Sequence, residues 1–371
     1  MQKRTLQLGS PEEAGLSKER LEYLSSYINN LVKRGCFPGA VVLVARRGRV
    51  AFYRAYGYAQ KYPEKRLMTK NTIFDLASLT KVVSTTPVIM SLIEDGYLEL
   101  WDTIRDYIPN FNHRKKSEIT LWHLLTHTSG LPNRPLYSIL SSPADTINFI
   151  SQVELDYAPG TRVQYSDLGM ILLGYIAEKV SGKSLEQLFN ERIRRKLKLN
   201  DTMYNPPQNL KHRIAATEFC KWRKRIIVGE VHDENAYFLG GVAGHAGLFS
   251  TAWDLAVYAQ TLLNGGIYEK QRILSPLSIK LMTKNHLEEL GEFRGLGWVI
   301  SPGGKKKCSC GNLLSERAFG HTGFTGTSLW IDPTYQLIIV LLTNRIHPTR
   351  ANTCLIRERP RIHNIIASAI I

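Results

Sequence analysis

The strand-forming residues of this chain are gathered at its two ends. Near the start, Ala40-Val41-Val42-Leu43-Val44-Ala45 and Val50-Ala51-Phe52-Tyr53 flank Arg46-Arg47-Gly48-Arg49, the pattern of a hairpin. Some 240 residues later β character returns at Gly297-Trp298-Val299-Ile300, Ala318-Phe319-Gly320-His321, Ser328-Leu329-Trp330-Ile331 and the run from Leu337 to Leu342. Asp332-Pro333-Thr334-Tyr335 supplies a turn between the last two. Between the blocks the periodicity is helical, with candidate helices at Thr80 to Leu98, Leu121 to Leu125, Asp167 to Val180, Leu185 to Leu197 and Ala252 to Leu263. A further amphipathic helix is expected before the first hairpin, from near Ser17 to Gly35, and a closing one from Ile362 to Ile371. The arrangement predicts one α/β (α+β) domain assembled from residues 1–75 and 264–371, with a mainly helical domain, residues 76–263, inserted between them. A cleft is expected at their interface.

Charge narrows the function. Against 32 Asp and Glu stand 48 Lys and Arg, a net charge of +16, which sets up a field attractive to anions. No zinc finger and no basic heptad helix accompany it, and one short stretch, Lys221-Trp222-Arg223-Lys224-Arg225, mixes basic and aromatic residues. An anionic small-molecule or peptide substrate is therefore preferred to nucleic acid. No run approaches the roughly 18 apolar residues of a membrane span, and no apolar run of signal-peptide length follows Lys3-Arg4, so a cytoplasmic location is expected. Cys36, Cys220, Cys308, Cys310 and Cys354 are odd in number and scattered, which predicts reduced thiols rather than a disulfide framework.

Ser78-Leu79-Thr80-Lys81 places a hydroxyl and an amine three residues apart where a turn opens into a helix. Residues so spaced share one helix face, so the amine can reach the hydroxyl and act as its base if its pKa falls. Backbone N–H groups at a helix start are also free to stabilise an oxyanion. The pattern alone is common, and a capping serine beside an exposed lysine explains it equally well. Company at suitable spacing strengthens it: Tyr165-Ser166-Asp167 follows about 85 residues on, before another helix, and His321-Thr322-Gly323 ends a predicted strand near the C-terminus.

These three elements resemble the S-x-x-K, Y-x-N and K-T-G triplet of penicillin-binding proteins, class C β-lactamases and related esterases and peptidases. Gly39-Ala40-Val41-Val42, Leu124 to Pro132 and Gly244 to Thr251 are similar to framework segments of that family, so the likeness covers nearly the whole chain. It implies a β-lactamase/transpeptidase-like fold with an antiparallel sheet flanked by helices and an inserted all-helical domain. It implies attack on an amide or ester carbonyl by Ser78, with Lys81 and Tyr165 sharing its proton and an acyl-enzyme hydrolysed by water. The backbone N–H groups of Ser78 and Phe324 form the implied oxyanion hole, and Asp167, His321, Thr322 and Gly323 line the substrate cleft. Asp167 stands where Asn is common, which favours the charged form of Lys81 and shifts weight to Tyr165 as base. His321 stands where Lys is common, which makes anion binding pH-dependent. No cofactor and no metal are implied.

Val231 to Ser250, with Asn344 to Arg350, is similar to a subgroup that includes N-acetylmuramoyl-L-alanine amidases, which favours a cell-wall muropeptide as substrate. The alternatives are a carboxylesterase or β-lactamase, and a penicillin-binding or sensor protein that does not turn over. Other constellations read as structural. His123 and His127 have metalloprotease spacing, but Leu124 stands where the glutamate is needed. His232, Asp233, Glu234 and His245 are expected to serve as loop hydrogen-bonding groups, Cys308-Ser309-Cys310 lacks a partner pair for a metal, and Gly240 to Gly244 reads as close backbone packing.

Overall fold

A computed structural model describes residues 4–112 and 114–371. Met1 to Lys3, on which the reading of the N-terminus partly rests, lie outside the described residues. An eight-stranded sheet contains Gly39–Arg46, Arg49–Gln60, Phe319–Thr322, Ser328–Asp332 and Leu337–Thr343. Gly39–Arg46 is central, pairing antiparallel with Arg49–Gln60 on one side and with Leu337–Thr343 on the other. The register runs from Thr343 opposite Ala40 to Leu337 opposite Arg46, so the two ends of the chain are joined by main-chain hydrogen bonds. One short strand, Gln7–Leu8, runs parallel to its neighbour.

Both faces of this sheet are covered, and for that reason the central strand is an unbroken apolar run instead of an alternation. Val42, Val44, Ile339 and Leu341 meet Leu21, Leu24 and Ile28 of the helix Lys18–Lys33 and Leu355, Ile362 and Ile366 of the helix Cys354–Ala367. Val41, Leu43, Ile338 and Val340 face the other way, onto Leu255 and Tyr258 of the helix Ala252–Leu263. That second cluster continues without a break into Leu92, Leu172 and Leu188 of the helical part.

The expected helices and strands are present with ends shifted by a few residues, and four differences bear on function. First, the middle of the chain is not all-helical. Phe74–Asp75, Leu248–Ser250 and Met203–Tyr204 form a three-stranded sheet, and Phe219–Cys220 pairs with Arg225–Ile226. Strands of two or three residues are too short to show alternation. Second, the helix after Ser78 is π-helical over Lys81–Thr85 and α-helical over Thr86–Glu94, stopping before the left-handed Gly96 rather than at Leu98. Third, the closing helix begins at Cys354 and ends at Ala367. Fourth, Cys36 and Cys354 are joined in a disulfide across a sequence separation of 318, correcting the expectation of reduced thiols throughout. Helix packing brings them together, which no local spacing announces; Cys220, Cys308 and Cys310 stay free. Among the described residues no helix is long and apolar enough to cross a membrane.

Candidate active site

Ser78 follows the strand Phe74–Asp75, which pairs with Leu248–Ser250 and so ties the segment leading to Ser78 to the Gly244-to-Thr251 segment. Between strand and serine, Ala77 adopts a left-handed backbone (φ 46°). Asp75 holds it there: one carboxylate oxygen accepts from Ala77 N at 2.8 Å and the other from His232 N at 2.6 Å. Burial pushes the Asp75 carboxyl up, against those hydrogen bonds.

Lys81 is fully buried, and its ammonium has three partners. It donates to Ser78 Oγ at 3.0 Å and to His245 O at 3.1 Å, and it pairs with Asp167 at 2.8 Å. It also lies 4.7 Å from the centre of the Tyr165 ring. Burial works against the charge, but Asp167 and Tyr165 outweigh it and hold the Lys81 pKa above its usual value. Burial likewise pushes the Tyr165 phenol up, opposed by Lys81 and by its contact with Ser78. In the resting site both Lys81 and Tyr165 therefore carry their protons at neutral pH. At rest the lysine is thus the charged partner, and the phenol, held above its usual range, is not a ready base.

Asp167 opens the helix Asp167–Ser181, whose cap is Ser166. Asn133 fixes this turn from outside, accepting from Asp167 N at 2.6 Å and donating to Tyr165 O at 3.1 Å. His127 packs its ring on Tyr165 at 4.6 Å and accepts from Ser166 N at 3.3 Å, so it shapes the site as a neutral ring that burial keeps from protonating. His123 caps its own helix through Thr120.

His321 lies 6.0 Å from Tyr165, ring centre to ring centre, and donates from Nδ1 to Thr322 O at 2.8 Å. Burial, then the charges of Lys81 and Arg294, push its pKa down to about 3. This corrects the expectation of a pH-dependent cation: at neutral pH the imidazole is uncharged. Thr322 pairs with Ser328 across the hairpin, and Gly323 donates to Thr327 O at 2.8 Å. Thr325 and Thr327 donate to Asp75 O and Leu76 O, stitching this turn onto the segment that carries Ser78. The N–H groups of Ser78 and Phe324 have no hydrogen-bond acceptor among the described residues, as an oxyanion site requires.

Several contributors have no motif of their own. Asp75, Asn133 and the His245 carbonyl act by position. His245 Nε2 in turn contacts Asp233 at 2.8 Å, and though burial opposes it, the His245 contact helps hold that carboxyl well below its usual range. Gly244 carries no side chain because a Cβ there would stand 1.9 Å from Met170 O, which is the close packing expected of the glycine run. The Arg294 guanidinium has no hydrogen-bond or ion-pair partner among the described residues, and its charge reaches His127 and His321. Among the described residues no three His, Cys, Asp or Glu side chains are grouped as metal ligands.

Residues 24–359 match the Beta-lactamase family. The chain belongs to that family. A relative in Escherichia coli (strain K12), named "Putative D-alanyl-D-alanine carboxypeptidase", is 35% identical over 376 residues, covering 91% of this chain and 85% of its own. One of the same name in Salmonella typhimurium (strain LT2) is 32% identical, with 94% and 88% covered. Among solved structures, the octameric penicillin-binding protein homologue from Pyrococcus abyssi superposes with a TM-score of 0.72 at 24% identity, covering 91% of this chain and 76% of that one. EstCE1, a hydrolase with promiscuous acyltransferase activity, gives 0.73 at 24%, covering 92% and 98%. These likenesses show the fold. With the family established, this Beta-lactamase family member is a serine hydrolase with an antiparallel sheet flanked by helices.

Proposed function

We propose that this hydrolase cleaves an amide bond in cell-wall muropeptides through an acyl-enzyme on Ser78, as an N-acetylmuramoyl-L-alanine amidase or a peptidase. The observation that carries the reading is the buried Lys81, held between Ser78 Oγ at 3.0 Å and Asp167 at 2.8 Å. The carboxypeptidase name of the relatives and the positive field support a peptide substrate of anionic character. The site is taken to lie where residues 76–263 meet residues 1–75 and 264–371.

Because Lys81 and Tyr165 both hold protons at rest, the base is formed during reaction. Ser78 gives its proton to Lys81 Nζ while Lys81 passes one to Asp167, so the lysine stays cationic and no charge is stranded in the buried site. The Ser78 oxygen bonds to the carbonyl carbon, and the N–H groups of Ser78 and Phe324 receive the oxyanion. Tyr165, a neutral phenol, donates its proton to the departing amine as the C–N bond breaks. Water then attacks the acyl carbon, giving one proton to the Tyr165 phenolate, and as the bond to Ser78 breaks Asp167 returns its proton through Lys81 to the Ser78 oxygen.

A second reading, a carboxylesterase, is favoured by the uncharged His321, which offers no cation to a terminal carboxylate at the place where Lys is common. Incubation of the protein and its Ser78→Ala variant with a muropeptide mixture, followed by mass spectrometry, separates these. Release of the whole peptide from the lactyl group identifies an amidase, and loss of one terminal residue a carboxypeptidase. No change in either protein sinks the cell-wall reading and turns attention to short-chain esters and β-lactams.

A further inference from the structure

The basic stretch Lys221-Trp222-Arg223-Lys224 is the turn of a short hairpin, and its aromatic residue does not point into a core. Trp222 is 50% exposed, Tyr237 37% and Phe324 47%. Large apolar side chains left open together and rimmed by polar groups mark a ligand surface more often than chance exposure does. Tyr137 and Trp222 lie with ring centres 5.3 Å apart, and Tyr237 meets Trp222 edge-on at 5.7 Å. Arg223 stiffens the group from behind. Its guanidinium lies 3.9 Å from the Tyr237 ring centre and donates to Val231 O at 2.8 Å and His232 O at 3.1 Å.

That last contact joins the aromatic group to the site. The His232 ring stacks on Phe324 at 5.7 Å, nearly parallel, and Phe324 carries one of the two free N–H groups. On the other flank, Asn235 accepts from Tyr137 N at 3.4 Å and donates at 2.9 Å to the carbonyl of Arg134, the residue next to the Asn133 that positions Asp167. The rings thus form a wall tied, through Arg223 and the His232 main chain, to the residue that stacks on the proposed oxyanion donor. Lys221 and Lys224, beside Trp222, have no ion-pair partner among the described residues, so the wall favours an anionic ligand.

We propose that Tyr137, Trp222 and Tyr237, braced by Arg223, form a sugar-ring subsite that takes the pyranose of an anionic muropeptide. This deepens the muropeptide reading and rests on it. A pyranose offers a C–H face that can be desolvated against an indole or phenol while its hydroxyls stay in water at the rim. Rings of this kind also lose little conformational entropy on binding. Stacked nucleic-acid bases would use similar rings and cations, but the wall is tied to a hydrolytic centre and is three rings long.

The test is a fluorescence titration of Ser78→Ala, which cannot turn ligand over, with N-acetylmuramoyl-L-alanyl-D-isoglutamine, the same dipeptide without sugar, and an oligothymidylate. Saturable quenching by the sugar-bearing ligand alone, weakened about tenfold or more when Trp222→Ala is added, supports the subsite. Equal affinity with and without Trp222, equal binding of the sugar-free dipeptide, or a response to the oligothymidylate alone overturns it. With Ser78 intact, Trp222→Ala should lower kcat/KM on the sugar-bearing substrate and leave hydrolysis of a nitrophenyl ester unchanged. Turnover of muropeptide that ignores Trp222 removes the subsite and keeps the function. Sugar binding through Trp222 without turnover does the reverse.

Discussion

Gly323→Ala changes no functional group, yet it should disable the site. A Cβ built at Gly323 stands 2.1 Å from Thr327 Oγ1 and 2.3 Å from Leu76 O. The threonine can turn aside, but the carbonyl is backbone, two residues before Ser78. A carbon needs more than 3 Å from an oxygen, so the chains must part by about 1 Å. Those chains carry the two N–H groups without acceptors, and a wedge between them widens the proposed oxyanion hole. Losing one such donor costs about 2.7–4 kcal/mol, or 10²–10³ in kcat. Overpacking should cost about 1–3 kcal/mol of stability, which leaves the fold intact. Steady-state kinetics on a nitrophenyl ester, with a melting curve as control, should show kcat falling by that factor and KM changing little. Gly323→Ala/Thr327→Ala should not recover, because Leu76 O remains. A folded Gly323→Ala protein with kcat within about threefold of the parent would refute the reasoning.

In Asp167→Asn, Lys81 loses the carboxylate that outweighs its burial, so its pKa falls and a neutral lysine must serve as base. The rising limb of the pH–rate profile should then move to higher pH than in the parent; an unmoved limb argues against the relay. Buried His363, which donates to Ser309 O at 2.8 Å, is pushed down to about 3 and stays neutral when folded, whereas the unfolded chain takes up a proton below about 6.5. Stability is thus fully present above pH 6.5 and falls on acidification, by about 2 kcal/mol between pH 6.5 and 5 from this residue alone. Urea titrations of the parent and His363→Gln should show a shallower decline in the variant, and parallel declines would contradict the assignment. Reduction of Cys36–Cys354 should lower the melting temperature, since a link across 318 residues is worth up to about 5 kcal/mol in the chain-entropy picture. Alkylation of the protein unfolded without reductant should modify three of the five cysteines; modification of all five would show the bond absent.

The sheet from both termini was legible because its strands are long apolar runs, and the Ser78, Lys81, Tyr165 and Asp167 cluster because each sits at a helix start with a recognisable neighbour. Phe74–Asp75 was not, because two residues carry no period, although that strand decides where Ser78 stands. The side chain of His321 is evident in the sequence, but its neutrality comes from burial beside Lys81 and Arg294, which only packing creates. Asn133 and Asp75 act through backbone contacts, and any polar residue in a loop looks alike until the loop is placed. The Cys36–Cys354 pair depends on two helices, one from each end of the chain, lying side by side.

The central claim is that Ser78 becomes acylated. Intact-mass spectrometry after brief exposure to a β-lactam or an activated ester, followed by peptide mapping, tests it. The expected result is one added acyl mass on the Ser78 peptide that decays with time and is absent from Ser78→Ala. An adduct on another residue, or one that persists in Ser78→Ala, would contradict the account.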